Sequence, residues 1–182
     1  ARRTTCLTSA LHIARHKKPY NFSIYQDLPW QRYPIVRRRY RLTVPERITK
    51  DGAVLVPLDE EKARAQVRAL KEAGVEAVAV CFLFSFVNPE HERRAAEIVR
   101  EEFPEAFLSV SSEVLPQYRE YERFSTVCLN AYIGPKVARY VRRLEDELEA
   151  RAIKTGVHFM TSASGVETPD VATARPVSRR FR

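Results

Sequence analysis

The 182-residue sequence has five glycines, three cysteines and one tryptophan, and these scarcities remove whole classes of protein. No complete Walker loop, dinucleotide fingerprint or nucleophile elbow occurs in it, so the common glycine-dependent phosphate and nucleophile motifs are missing. Cys6, Cys81 and Cys128 lie far apart. They make neither a metal pattern nor an even-numbered disulfide framework, which predicts a reducing, cytoplasmic setting. Long apolar runs are lacking as well: Val75 to Val87 is broken by Glu76 and Ser85 and is too short to cross a bilayer. No signal-peptide pattern opens the chain, and neither a collagen-like nor a coiled-coil composition is present. The first residue is Ala1 rather than Met and the last four are Arg-Arg-Phe-Arg. The expectation is therefore a piece of a longer polypeptide.

What is present is a soluble-type composition with a formal net charge of +8. The charge is unevenly placed: residues 1–50 hold twelve Lys/Arg against Asp27 and Glu46, a surplus of ten. Arg37-Arg38-Arg39-Tyr40-Arg41, near Tyr33 and Trp30, is a basic and aromatic stretch of the kind that binds nucleic acid. The alternation of Arg39, Arg41 and Thr43 with Tyr40, Leu42 and Val44 instead predicts a strand with one face in water. No nucleic-acid motif accompanies the charge, so the prediction is no nucleic acid and no membrane. An acidic partner subunit or a phosphate-bearing ligand suits this surface better.

Along the chain, Ala63, Val67 and Leu70 fall on one face of a helix over Asp59–Ala73, with Asp59 as its cap and Gly74 closing it. Val75 to Phe84 is nearly all apolar and β-branched, the pattern of a parallel strand buried on both faces. Asn88-Pro89 opens a second helix, with Ala95, Ile98, Val99 and Phe103 as its stripe and Pro104 as its stop. Phe107–Val110 is the next strand. Alternation of helix and strand predicts an α/β core with a mostly parallel sheet and flanking helices. From Tyr118 to Ala152 the pattern is helical, with a kink or restart expected at Gly134-Pro135. Val157–Thr161 reads as a strand, and the tail from Thr168 shows no clear period.

The chemistry-bearing residues are sparse. His91 stands between Glu90 and Glu92, but neighbouring helical residues diverge, so a surface or capping role is expected rather than a metal site. His12 and His16 share a helix face next to Lys17 and Lys18, without a third ligand. Cys81 and Cys128 read as core residues. Tyr118 to Arg123 either lines a cleft or starts a helix with ion pairs such as Arg119 with Glu122. Thr161-Ser162-Ala163-Ser164-Gly165 is a small-residue turn that could approach a phosphate.

Seven strings, in order, carry a resemblance. They are Val44-Pro45-Glu46-Arg47-Ile48, Val56-Pro57-Leu58-Asp59-Glu60, Gly74 to Leu83, Asn88-Pro89-Glu90-His91-Glu92, Ser111-Ser112-Glu113-Val114, Arg119-Glu120-Tyr121-Glu122-Arg123 and Asn130-Ala131-Tyr132. The sequence from about Ala10 to Gly165 resembles the A subunit of the hydantoinase/oxoprolinase family, which includes N-methylhydantoinase, 5-oxoprolinase, and acetone and acetophenone carboxylases. The resemblance implies an actin-like, ribonuclease-H-like ATPase architecture and an enzyme that uses ATP to phosphorylate the carbonyl of a cyclic amide or ketone, for ring-opening hydrolysis or carboxylation.

It further implies ATP and a divalent metal (Mg) in the intact protein and a hydantoinase B-type subunit as partner. Residues 1–152 correspond to a partial N-terminal domain without its first phosphate hairpin, and 153–182 to the start of the ATPase domain. Arg15, Glu122, Arg123 and Asn130 fall nearest the substrate or interdomain cleft, and Ser162 and Gly165 on the nucleotide side; no residue is assigned to a metal. The family's Ser-Asn-Gly-Gly-like turn reads Ser162-Ala163-Ser164-Gly165 here, and Ser164 lacks a glycine's access to positive φ. The stretch alone is expected to be inactive and to bind no cofactor. The alternative is a non-catalytic module docking a partner through its basic N-terminal strand.

Overall fold

The structure is a computed structural model, and it describes residues 4–8, 35–153, 156–161 and 165–177. Its core is a four-stranded, all-parallel sheet in the order β2-β1-β5-β6, formed by β1 (Thr4–Thr8), β2 (Arg41–Thr43), β5 (Ala77–Cys81) and β6 (Phe107–Val110). Two short antiparallel pairs stand apart from it: β3 (Arg47–Ile48) with β4 (Val54–Val56), and β7 (Phe159–Thr161) with β8 (Gly165–Glu167).

All five residues of β5 are buried, so both of its faces are covered. Two helices of thirteen residues, α1 (Glu60–Glu72) and α2 (Glu90–Glu102), pack side by side, and α2 rests on β5 and β6. Asp59 caps α1 by accepting a 2.8 Å hydrogen bond from the Lys62 N–H, and Gly74 closes it at φ +65°. The apolar stripe of α1 (Ala63, Val67, Leu70) and that of α2 (Ala95, Ile98, Val99) are buried as the periodicity predicts. Asn88 accepts from the Glu90 N–H at the start of α2, and the helix ends at Glu102, before Pro104.

Three expectations are corrected. The segment 35–44 is not a strand throughout: Arg38–Tyr40 forms a 3₁₀ turn closed by Tyr40 N–H to the Arg37 carbonyl at 2.9 Å, and only Arg41–Thr43 joins the sheet. Tyr40 turns inward, and Arg41, expected on a wet face, is 5% exposed beside β1. The helix from Tyr118 does not break at Gly134-Pro135 but runs as one element, α4 (Glu120–Ala150). Ala131, Gly134 and Ala138 are buried on its inner side, and a Cβ on Gly134 would lie 2.2 Å from the Phe107 ring, so the helix packs closely on β6 where the restart was expected. The tail is not wholly irregular, since Pro169–Ala174 forms a short helix, α5, against α4. A four-residue helix, α3 (Ser111–Val114), follows β6 directly.

Candidate functional site at the carboxyl edge of the sheet

In an open parallel sheet the carboxyl ends of the strands leave unpaired backbone groups and a crevice where strand order reverses, and ligands bind there. Here the chain passes from β1 to β2 on one side and later to β5 on the other, with Thr8 in register with both Thr43 and Cys81. The reversal therefore lies at β1/β5. Buried polar side chains collect at this edge: Glu46 beyond β2, Ser85 beyond β5, Ser111 at the end of β6, His91 and Glu92 from the first turn of α2, and Arg123 from α4.

Glu92 is fully buried and accepts three bonds: from the Phe82 N–H at 2.7 Å and the Ser111 hydroxyl at 2.6 Å on Oε1, and from the Ser112 N–H at 2.8 Å on Oε2. Burial pushes its carboxyl above the ordinary carboxylate range, and these bonds pull the other way. Arg123, also with no exposed surface, donates from Nη2 to the Phe82 carbonyl and from Nη1 to the Gln117 carbonyl, each at 2.8 Å, and lies over the rings of Phe86 and Phe124. Its Nε makes no hydrogen bond, and desolvation lowers its pKa. The two charges thus hold opposite ends of one residue, Phe82, where β5 ends: Glu92 takes its N–H and Arg123 its carbonyl. Ser85 donates to the same carbonyl at 3.2 Å and lies 3.1 Å from the Ser111 hydroxyl. The loop so fixed includes Phe84 at φ +56°, a left-handed conformation unfavourable for a bulky side chain.

The second carboxylate of the edge, Glu46, lies 2.9 Å from Nδ1 of His91, and its side chain has no exposed surface. His91 is buried rather than on the surface as expected, because it reaches from α2 to the segment between β2 and β3. Asn130 is fully buried too. Its amide donates to the Ser109 hydroxyl and to the Ala174 carbonyl at 3.1 and 3.2 Å, and its oxygen accepts from the Val177 N–H, so it joins α4, β6 and the segment after α5.

Of the residues the sequence singled out, Arg123 enters the buried network at the edge, and Asn130 is buried in a separate set of bonds with Ser109, Ala174 and Val177. Glu122 faces solvent, 3.8 Å from Arg119. Gly165 is exposed in β8, and Arg15 and Ser162, like His12 and His16, lie outside the described residues. Tyr118 and Tyr121 are exposed, whereas Cys81 and Cys128 are buried core residues as expected. Sequence reasoning missed Glu46 and Glu92. The signal available for Glu92 was Ser111-Ser112 at the end of a buried strand, a cluster of short donors that a helix-borne carboxylate can satisfy.

Two surface hollows lie elsewhere. One of about 510 Å³, lined by Val75, Phe103, Phe107, Pro135 and Arg139, opens by the amino ends of β5 and β6; another of about 470 Å³ lies at the end of α4. Neither is lined by the buried charges of the carboxyl edge. Among the described residues no group of three or more His, Cys, Asp or Glu is placed to hold a metal ion, and no helix is long and apolar enough to cross a membrane.

Comparison with known proteins identifies the lineage. The hydantoinase/oxoprolinase N-terminal region model matches residues 3–103, and the hydantoinase/oxoprolinase model matches residues 123–179. The chain is 36% identical over 144 residues to the caprolactamase subunit alpha of Pseudomonas jessenii, covering 79% of this chain and 21% of that protein. It is 37% identical over 153 residues to the acetophenone carboxylase gamma subunit of Aromatoleum aromaticum, covering 81% of this chain and 20% of the relative. The crystal structure of the ATP-dependent caprolactamase from Pseudomonas jessenii superposes with a TM-score of 0.79 at 30% identity, over 94% of this chain and 26% of that one. The chain thus spans about a fifth of the length of these curated relatives. With a family model covering more than half of its residues, the chain belongs to the hydantoinase/oxoprolinase family.

Proposed function

We propose that this chain is the substrate-side part of an ATP-dependent subunit that activates the carbonyl of a cyclic amide or a ketone by phosphorylation, preparing it for ring-opening hydrolysis or carboxylation. The observation that carries this reading is the double clamp on Phe82, in which a buried carboxylate and a buried guanidinium fix the backbone where β5 ends. Two desolvated charges are a costly way to hold one peptide unit, and they sit where open α/β sheets bind ligands. The names of the relatives support the chemistry, since they include an ATP-dependent caprolactamase and a ketone carboxylase. Residues 1–152 then form a partial N-terminal domain and 153–182 open the ATPase domain of an actin-like architecture.

ATP and a divalent metal belong to this activity, but the described residues are not a set that fits them: no metal-ligating cluster is among them, and Gly165 is the one described residue of the Ser162–Gly165 turn. The relatives are named as subunits, which supports a B-type partner. The test is ATP hydrolysis by the complete gene product with Mg-ATP, with and without a cyclic amide or ketone; hydrolysis stimulated by one of these substrates supports the reading. A second reading, a docking surface for an acidic partner, is favoured by the exposure of Arg37, Arg38 and Arg39, and binding of this chain to its partner without any substrate-stimulated turnover would favour it.

A further inference from the structure

Glu92 has a donor for each of its oxygens, whereas Glu46 does not. Glu46 Oε2 meets His91 Nδ1, but Oε1 is buried and makes no hydrogen bond. A buried carboxylate oxygen without a donor is expensive and calls for an explanation. The pairing also fixes the imidazole: Nδ1–H donates to the carboxylate, which leaves the lone pair of Nε2 as an acceptor. Nε2 makes no hydrogen bond among the described residues, and the His91 side chain keeps 8% of its surface exposed. The pair therefore offers two acceptors and lacks donors for both. His91 and Glu92 are consecutive on α2, one reaching beyond β2 and the other to the end of β6, so the pair stands on the same edge as the clamp on Phe82.

We propose that the Glu46–His91 pair is a binding site for a ligand that presents an N–H donor, received at His91 Nε2. Choosing a secondary cyclic amide as that ligand rests on the function proposed above. The site then separates the two substrate classes of that reading, because a lactam carries an N–H and a ketone carries no donor. If the pair merely pins α2 to the segment before β3, a ligand N–H has no effect on the ring.

Imidazole nitrogen NMR of this chain tests the site directly, with the His91 signals assigned by their loss in His91→Gln. The probes are ε-caprolactam, N-methylcaprolactam and acetophenone. The expected result is that ε-caprolactam shifts the Nε2 resonance while the Nδ1–H signal persists, and that the two probes without N–H bind about three- to ten-fold more weakly at this ring. An Nε2 signal unmoved by ε-caprolactam, or moved equally by its N-methyl analogue, overturns the proposal. A kinetic arm on the complete gene product keeps the two readings apart. His91→Gln and Glu46→Gln should each raise KM for a cyclic amide about three- to ten-fold with kcat retained, and unchanged KM in folded variants overturns the site while the function stands. An Nε2 shift in a protein that turns over no cyclic amide supports the site and removes the function.

Discussion

At the scale of single residues the account turns on two buried charges. Arg123 is the hydrogen-bond donor to the Phe82 and Gln117 carbonyls. Arg123→Met should therefore cost about 1–3 kcal/mol, the cost of a weakened buried acceptor, because the Phe82 carbonyl keeps only the longer bond from Ser85. Urea denaturation measures this, and a loss below about 1 kcal/mol would show that the carbonyls find other donors. Glu92 makes a prediction about pH. Its folded carboxyl is raised above the ordinary value of 4.5, so the folded state holds this proton more tightly than the unfolded chain does. Its contribution to stability is then fully present below the ordinary value and is lost as pH rises through the raised one. Glu92→Gln cannot ionise, so the melting temperature of the variant relative to wild type should climb with pH across that window; a difference independent of pH would contradict the shift. Arg123 and Asn130 were singled out in the sequence through the resemblance of their strings. Glu92 was not, because it stands in the charged run Glu90-His91-Glu92-Arg93-Arg94 that looks like a solvated helix start, and its partners lie 10 to 20 residues away along the chain.

At the scale of elements, α1 and α2 are laced together on their outer side. Arg64 and Arg68 both reach Glu102, at 3.0 and 2.7 Å, Arg94 reaches Glu60 at 2.7 Å, and Lys71 reaches Glu105 at 3.1 Å. Hydrogen bonds from Arg68 and Arg64 pull the Glu102 carboxyl from 4.5 to about 2. A lowered folded value gives stability that is present above the unfolded value and lost as pH falls from about 4.5 towards about 2. Glu102→Gln should flatten that part of the melting-temperature profile, and an unchanged acid limb would show that the pairs are too well screened to matter. Inside the fold, Gly134→Ala places a Cβ against the Phe107 ring. Helix propensity alone would favour alanine by about 1 kcal/mol, but overpacking costs about 1–3 kcal/mol, so the net change should be destabilising. Phe107→Leu should relieve it in the double variant, and additive effects of the two changes would contradict the contact. The period of the apolar residues made α1, α2, β5 and β6 readable. The segment 35–44 was misread because alternation cannot reveal that Tyr40 closes a 3₁₀ turn, and a restart of α4 was among the expectations because Pro135 says nothing of the packing that Gly134 makes with β6.

At the scale of the molecule, strings distant in sequence meet at one edge. Glu46 from the first string touches His91 from the fourth, Glu92 binds Ser111 and Ser112 of the fifth, and Arg123 of the sixth holds Phe82 of the third. The α/β class and the parallel sheet followed from the order of the elements. The order β2-β1-β5-β6 did not, because strand neighbours depend on long-range pairing that local patterns do not encode. The central claim is that this edge serves an ATP-consuming activation of a carbonyl compound. The most direct measurement is ADP release by the complete gene product with Mg-ATP, alone and with hydantoin, 5-oxoproline, ε-caprolactam, acetone or acetophenone. The account predicts that at least one of these raises the rate and that Arg123→Met abolishes the increase; a rate indifferent to every one of them would contradict it.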